Sequence, residues 1–246
     1  MSMLASPKLV WLFSLAVLPA IVHAVDVGRF PPGTGAPPAP WQLQRINDKL
    51  TPTQYNLREW DGVPAIEARA NASMALMARP LSVDLAQTPV LCWRWRVDAP
   101  LKTADLRTKA GDDYAARIYI TFALKPEALD FGTRAKLRIG RAIFGPQLPD
   151  AAINYVWDNR NPIGTRAPNA YTERTRIIVT RTGAVDAGRW VEERRDVLLD
   201  ATQEFGPHIA ATQQLALASD TDNTGEEAHA GFADLHFVGR DAACVF

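Results

Sequence analysis

Apolar and polar residues alternate in two stretches near the middle of this 246-residue chain, and this alternation restricts the fold more than any other feature. Side chains on a β-strand point alternately to its two faces, so residues 91–97 and 112–122 are each predicted to form a strand with one apolar and one polar face. About ten short segments of this kind occur along the chain, separated by Gly-containing turns such as Asp61-Gly62. We therefore predict an all-β fold: an antiparallel β-sandwich, jelly-roll-like, with one or two short helices.

Two segments have helical patterns. Residues 198–205 stop at Gly206-Pro207 and are predicted to form a short crossover helix. Residues 126–144 combine apolar residues with four basic ones, although Gly132 and Gly140 weaken the helix. A basic amphipathic segment of this type either packs on a sheet edge, which is our main interpretation, or lies on a membrane surface.

The N-terminal residues have the pattern of an export signal. Lys8 precedes an apolar run at residues 9–18, and Val22-His23-Ala24 fits a signal-peptidase site. The run is shorter than the roughly 20 residues of a spanning helix, with a retained N-terminal anchor as the alternative. We expect a signal peptide at residues 1–24, a Pro/Gly-rich arm at 25–40 and a single sandwich domain at 41–246, with order beginning near Trp41. The protein is expected to be periplasmic or secreted.

Charge and cysteine content limit the partners and the compartment. Removing Lys8 from the 27 basic residues leaves 26, against 27 acidic ones, so the chain lacks the basic excess of a nucleic-acid-binding domain. No segment beyond the signal is long and apolar enough to span a membrane. Export would allow Cys92 and Cys244 to form a disulfide, but sequence spacing alone does not decide whether they do.

The polar faces of the two central strands supply the main ligand-binding hypothesis. If these strands are neighbours in one sheet, their polar residues form one continuous surface: Arg94, Arg96, Asp113, Arg117 and Tyr119. Arginine offers bidentate hydrogen bonds to carboxylates or sugar hydroxyls, and tyrosine offers an aromatic face with a hydroxyl. The alternative is a solvated sheet face whose charges pair across strands.

The acidic loop at residues 219–227 suggests a calcium site. Asp220, Asp222 and Asn223 are closely spaced oxygen ligands, and Glu226 is a candidate fourth. The spacing does not match an EF-hand, and the alternative is a turn in which Asp and Asn side chains cap the backbone.

Aromatic residues and histidines provide weaker candidates for a functional site than the polar surface and the acidic loop. Trp157 and Tyr171 flank a Pro/Gly loop and are candidates for stacking on a sugar ring, although a core position is the main interpretation for Trp157. His229 and His236 lie seven residues apart on a predicted strand, so they should point to opposite faces and share no zinc ion. No nucleophile motif is present, so no catalytic residue is assigned.

Several motifs together resemble one family of exported bacterial proteins. In chain order they are Trp93-Arg94-Trp95-Arg96-Val97, Gly111-Asp112-Asp113, Arg117-Ile118-Tyr119, Asn154-Tyr155-Val156-Trp157, Gly188-Arg189-Trp190 and Ser219-Asp220-Thr221-Asp222-Asn223-Thr224-Gly225. This order is similar to that of domain-of-unknown-function family 3047, over about residues 41–238, and residues 126–144 depart from it. The resemblance implies an exported, sandwich-like domain and brings no established activity or catalytic residue with it.

The favoured function is an exported binding module for a polar ligand, most plausibly carbohydrate. One alternative is a polysaccharide lyase or hydrolase that uses Tyr119 or a carboxylate as acid/base and Arg117 to neutralise a uronate. The other is a structural cell-envelope protein, which should show an exposed apolar patch near residues 126–144. Calcium is the one cofactor that the sequence suggests.

Overall fold

The computed structural model describes residues 24–144 and 148–246, so the predicted signal peptide lies, apart from Ala24, outside the described residues. Within them the chain forms thirteen strands and two α-helices. The strands are β1 (Val25–Gly28), β2 (Gln42–Gln44), β3 (Gln54–Trp60), β4 (Val63–Asn71), β5 (Leu76–Pro80), β6 (Val90–Val97), β7 (Tyr114–Leu124), β8 (Ala151–Asp158), β9 (Arg166–Asn169), β10 (Thr172–Thr182), β11 (Val191–Asp196), β12 (Ile209–Asp220) and β13 (Glu227–Val238). The helices are α1 (Phe131–Phe144) and α2 (Val197–Phe205), and neither is long and apolar enough to cross a membrane.

The strands form two sheets. The six-stranded sheet has the order β11-β6-β13-β4-β3, with β1 added on β13, and the seven-stranded sheet has the order β2-β5-β12-β7-β8-β10-β9. The predicted all-β sandwich with two short helices is confirmed. The prediction of an antiparallel arrangement is wrong for one pair, because β8 and β10 run parallel. β9 pairs antiparallel with the other edge of β10 and ends the sheet.

The core lies between the two sheets and contains a row of aromatic rings that joins them. Trp93 and Trp95 of β6 pack edge to face at 5.4 Å, Trp93 stacks on Tyr155 of β8 at 5.6 Å, and Trp95 meets Trp157 at 5.8 Å. Each aromatic pair adds about 0.5–1.5 kcal/mol beyond its buried area. Trp157 is 1 % exposed and its indole N–H donates to the Gly183 carbonyl oxygen at 3.0 Å. The prediction that Trp157 contacts a ligand is therefore wrong, because the ring fills the core.

The N-terminal arm is partly a strand. Val25–Gly28 pairs with the end of β13, so the expectation that order begins near Trp41 is wrong for these four residues. The physical reason is that the first proline of the arm, which lacks a backbone donor, is Pro31, after the β1 residues. A Cβ at Gly28 would lie 2.5 Å from a methyl carbon and 3.0 Å from the Cβ of Leu235, so a larger residue here would force the buried Leu235 to shift.

A disulfide closes the C-terminal end of the domain. Cys92 on β6 and Cys244 in the C-terminal tail are bonded, with their Cα atoms 5.8 Å apart. The disulfide, whose existence the sequence alone did not decide, is therefore present. It spans 152 positions of the chain and ties the tail to the six-stranded sheet.

Candidate functional site

The predicted continuous polar surface does not form, because β6 and β7 belong to different sheets. β6 lies between β11 and β13, whereas β7 lies between β12 and β8. Arg94 and Arg96 therefore occupy the outer side of the six-stranded sheet, and Arg117 and Tyr119 occupy the outer side of the seven-stranded sheet. A period-two pattern fixes which side chains share a face of one strand, but it does not say which strands become neighbours.

Arg117 is a buried structural cation rather than an exposed ligand contact. It is 3 % exposed, pairs with Asp220, and donates to Asp112 at 3.5 Å. The rings of Tyr114 and Tyr119 each have their centroid 5.2 Å from the guanidinium carbon. Burial lowers the pKa of Arg117, but the charge of Asp220, together with smaller contributions from Tyr119, Asp112 and Tyr114, raises it by more in sum, so the guanidinium stays protonated. Burial has the opposite effect on Tyr119: it raises the pKa of the hydroxyl, which therefore stays neutral.

Asp113 organises the loop that follows β12. Its carboxylate accepts hydrogen bonds from the backbone N–H groups of Asn223 and Thr224 at 3.0 and 2.7 Å, and from the Thr224 hydroxyl at 2.8 Å. The Asn223 amide donates to Asp113 at 3.0 Å and accepts from the exposed Tyr171 hydroxyl at 2.8 Å. Asp113 and Arg117 of the predicted polar surface thus meet Tyr171 and the acidic loop, which were separate candidates, at one end of the seven-stranded sheet.

The aspartate cluster, defined as Asp112, Asp113, Asp220 and Asp222, carries more negative than positive charge. Arg117 is the one cation that pairs with it within the described residues. Burial and then the charge of Asp113 raise the pKa of Asp222. Burial also raises the pKa of Asp220; Arg117 opposes this rise, and the neighbouring carboxylates add to it. Both shifts indicate carboxylates that are short of positive charge.

The carboxylates of the aspartate cluster offer a different ligand set from the predicted one. Oxygens of Asp113, Asp220 and Asp222 all lie within 4.8 Å of one another, so Asp113 joins the two predicted aspartates. Asn223 already uses both amide atoms in the hydrogen bonds to Asp113 and Tyr171. Glu226 is turned away and accepts from the backbone N–H groups of Lys102 and Thr103, both at 2.9 Å. Calcium binding at this cluster stays a prediction.

The outer side of the six-stranded sheet carries a polar groove that the sequence interpretation missed. The groove has a volume of about 370 Å³. Residues on β3, β4 and β13 and in the loops beside them line this feature, hereafter the sheet groove: Thr51, Pro52, Gln54, Arg69, Ala70, Asn71, Ser73, Asp98, Ala99, Glu227, Ala228 and His229. This volume lies within the range of about 300–1,000 Å³ usual for small-molecule sites.

Two carboxylates hold His229 in the wall of the sheet groove. Its Nδ1 lies 2.6 Å from Asp98 and its Nε2 lies 2.7 Å from Glu67. Arg69 also donates to Glu67, at 3.0 Å, and Arg58 donates to the same carboxylate. Burial raises the pKa of Glu67, but the hydrogen bonds from Arg69, His229 and Arg58 outweigh it and lower the pKa to about 2. Glu67 is therefore ionised at any ordinary pH.

The ring of Trp60 lies beside the sheet groove and is covered by the side chains packed on it. Its ring stacks on His229 with centroids 4.4 Å apart, and the guanidinium carbons of Arg96 and Arg58 lie 3.9 and 4.4 Å from its centroid. The ring is 6 % exposed, so it has no free face for a sugar. Arg96 also pairs with Asp61, which makes it a structural residue. Arg94 pairs with Asp234 in the same way.

Both histidines of β13 lie on the outer side of the sheet, so the prediction of opposite faces is wrong. The pairing of β13 with β6 shifts register between Ala233 and His236, and Asp234 there adopts a positive φ of 55°. The bulge reverses the alternation and turns His236 outward beside Cys92. His229 stands apart from it with Asp98 and Glu67. The alternating polar residues in the sequence of β3 and β4 could have predicted this polar outer side of the six-stranded sheet.

A family model described as "Protein of unknown function (DUF3047)" matches residues 39–236, about four fifths of the chain. The chain therefore belongs to this family, which confirms the resemblance drawn from the motifs. No curated protein matches the sequence.

Proposed function

We propose that this DUF3047 protein is an exported module that binds a hydroxyl-rich ligand, a carbohydrate, in the sheet groove. The observation that carries the proposal is a groove of about 370 Å³ whose polar side chains are already held in place by neighbours. Arg69 pairs with Glu67 behind the wall, His229 bonds to Asp98, and Asn71 donates to Glu227. Strands hold most of these side chains, so the donors and acceptors are in place before a ligand arrives.

The chemistry of the groove favours a neutral ligand with many hydroxyl groups. Arg69 offers donors, Asp98 and Glu227 offer acceptors, and the amides of Gln54 and Asn71 offer both. An anion would meet the two carboxylates, and a cation would meet the guanidinium. Sugar hydroxyls both donate and accept, and they suit a wall of alternating donors and acceptors.

Affinity in this groove should be weak. Trp60 has no free face, so binding depends on hydrogen bonds without aromatic stacking. Each hydrogen bond contributes a net free energy of only about 0.5–1.5 kcal/mol. When the free-energy cost of immobilising the ligand is subtracted from the sum of several such bonds, the remaining binding free energy corresponds to dissociation constants of roughly a millimolar.

The lyase or hydrolase alternative has less support at this groove. Both ring nitrogens of His229 are bonded to carboxylates, which leaves neither nitrogen to exchange a proton with a substrate. Glu67, whose pKa is about 2, is too acidic to protonate a leaving group at neutral pH. Glycan cleavage during a binding measurement would replace the binding proposal with an enzymatic one.

Two observations support export. Val25, the first residue after the predicted cleavage site, is also the first residue of β1, and Ala24 before it is exposed. The Cys92–Cys244 disulfide is the kind of bond that persists in oxidising compartments. Intact-mass analysis of the protein from a fractionated cell is the test. A mature chain that begins at Val25 in the exported fraction is expected, and an unprocessed chain in the cytosol would refute export.

Arg69→Ala tests the ligand site. Ligand-observed NMR against neutral and acidic oligosaccharides and peptidoglycan fragments should identify a binder, and the variant should weaken it by roughly tenfold or more, because a hydrogen bond to a charged group contributes about 1.5–3 kcal/mol. The melting temperature should stay near that of the wild type, since the Arg69 side chain is 55 % exposed and Arg58 still pairs with Glu67.

Arg160→Ala is the matched control. The Arg160 side chain is 52 % exposed and pairs with Asp105 at 2.9 Å, as Arg69 pairs with Glu67 at 3.0 Å, but it lies outside the sheet groove. Binding by this variant should equal that of the wild type. A screen without any binder would refute the ligand class, and equal loss in both variants would refute the location.

A further inference from the structure

Helix α1 leaves most of its surface open, including two large apolar side chains. Phe131 is 81 % exposed and Ile139 is 61 % exposed. Among the side chains of residues 131–142, Leu137 alone is buried, at 5 % exposure. An insertion packed on a sheet edge, which was our main interpretation of this segment, would bury its large apolar residues. The helix instead turns them to the solvent.

The exposed apolar residues lie on one side of the helix. At about 100° per residue, positions 131, 135, 139 and 142 fall within an arc of about 80°. These positions are Phe131, Ala135, Ile139 and Ala142, which together form the apolar stripe. Leu137 lies on the opposite side and faces the groove between the helix and the seven-stranded sheet.

Basic residues flank the apolar stripe, and most of them make no ion pair within residues 24–144 and 148–246. Residues 131–144 contain four basic residues and no acidic one. Arg141 pairs with Asp150 at 2.8 Å. The remaining three, Arg134, Lys136 and Arg138, make no ion pair with any residue that the structure describes. By helical position, Arg134 and Arg138 border one side of the stripe and Lys136 borders the other.

We propose that α1 lies flat on an anionic lipid bilayer, with the apolar stripe at the boundary between headgroups and acyl chains. A helix with an exposed apolar face between cations is the form that binds such interfaces, because buried apolar area and attraction to acidic lipids add together. Charge complementarity selects the lipid: three cations without an ion pair in the described part of the chain suit a surface of lipid phosphates. The helix attaches the domain at the surface and does not span the bilayer.

Co-sedimentation with vesicles tests this interaction. The folded, disulfide-bonded protein should sediment with vesicles of phosphatidylcholine mixed with phosphatidylglycerol, and much less with phosphatidylcholine alone. Lys136→Gln/Arg138→Gln should weaken binding by roughly 25-fold, since each basic residue near an anionic surface contributes about a fivefold change in affinity. Phe131→Ser/Ile139→Ser should weaken it by roughly tenfold or more through the loss of buried apolar area.

Matched variants elsewhere separate this surface from general charge and hydrophobicity. Lys49→Gln/Lys102→Gln removes two exposed cations, and Ile46→Ser/Val185→Ser removes two apolar side chains that are 60 % and 89 % exposed. Both control proteins should bind vesicles like the wild type, and all variants should keep its melting temperature. Absence of wild-type binding to anionic vesicles, or equal losses in the α1 and control variants, would overturn the proposal.

Discussion

Replacing Arg117 by methionine should destabilise the fold rather than remove a ligand contact. The guanidinium is 3 % exposed, pairs with Asp220 and Asp112, and lies between the rings of Tyr114 and Tyr119. Methionine keeps most of the side-chain volume but removes the charge. The carboxylate of Asp220 then stays buried beside further carboxylates without its cation.

Breaking a buried ion pair by removing one partner costs about 3–5 kcal/mol in the free energy of unfolding. For a domain of about 200 residues, each kcal/mol lowers the melting temperature by about 2–4 °C. Arg117→Met should therefore lower it by roughly 6–20 °C at neutral pH. At lower pH the loss should shrink, because burial and the nearby carboxylates raise the pKa of Asp220 and protonation then removes the unpaired charge.

Thermal unfolding followed by circular dichroism at pH 5 and pH 7.5 measures these effects. The double variant Arg117→Met/Asp220→Asn should regain most of the lost stability, since it removes both charges. Arg107→Met is the control: the Arg107 side chain is 75 % exposed, its pair with Asp105 is on the surface, and little change is expected. A single variant as stable as the wild type, or a double variant no better than the single one, would refute the structural role of Arg117.

Further predictions concern the aspartate cluster and the disulfide. Because burial and Asp113 raise the pKa of Asp222, folding is favoured by protonation and stability falls as pH rises above about 3.9, the usual carboxyl value. Asp222→Asn in a chelator should therefore raise the melting temperature at pH 7 and change it little at pH 3; an unchanged value at pH 7 would contradict the shift. If Asp113, Asp220 and Asp222 bind calcium, added Ca²⁺ should raise the wild-type melting temperature and Asp222→Asn should abolish that rise, whereas a wild-type value insensitive to Ca²⁺ would exclude the site. Replacing Cys92 and Cys244 by serine should cost roughly 2–5 kcal/mol in denaturant unfolding, since the bridge closes a loop of 152 positions, and equal stability would show that the bridge is dispensable.

Much of the fold follows from local patterns in the sequence. The alternation in residues 91–97 and 112–122 identified β6 and β7 and the inner faces of both, because the side-chain period of a strand is independent of its neighbours. The partners of those strands depend on contacts between distant parts of the chain. β6 pairs with β11 and β13, some 100–140 positions away, and no turn or short loop specifies that pairing.

The candidate site was harder to predict for the same reason. Arg117 lies on the polar face of an alternating strand, and that position predicts exposure to solvent. In the structure Arg117 is buried and pairs with Asp112, which precedes β7, and with Asp220 at the end of β12. The sheet groove needs β3, β4 and β13 side by side, and no local pattern in the sequence specifies the pairing of β13 with β4. Cys92 and Cys244 could be named as a pair because only two cysteines exist.

Chemical-shift mapping of a bound glycan on the ¹⁵N-labelled protein locates the ligand site itself. We predict that the amide signals of Gln54, Arg69, Asn71 and His229 shift together with a single dissociation constant. Signals around Tyr171 and Asp222 should stay in place. Shifts confined to Tyr171 and the acidic loop, with the groove residues unaffected, would contradict binding in the sheet groove.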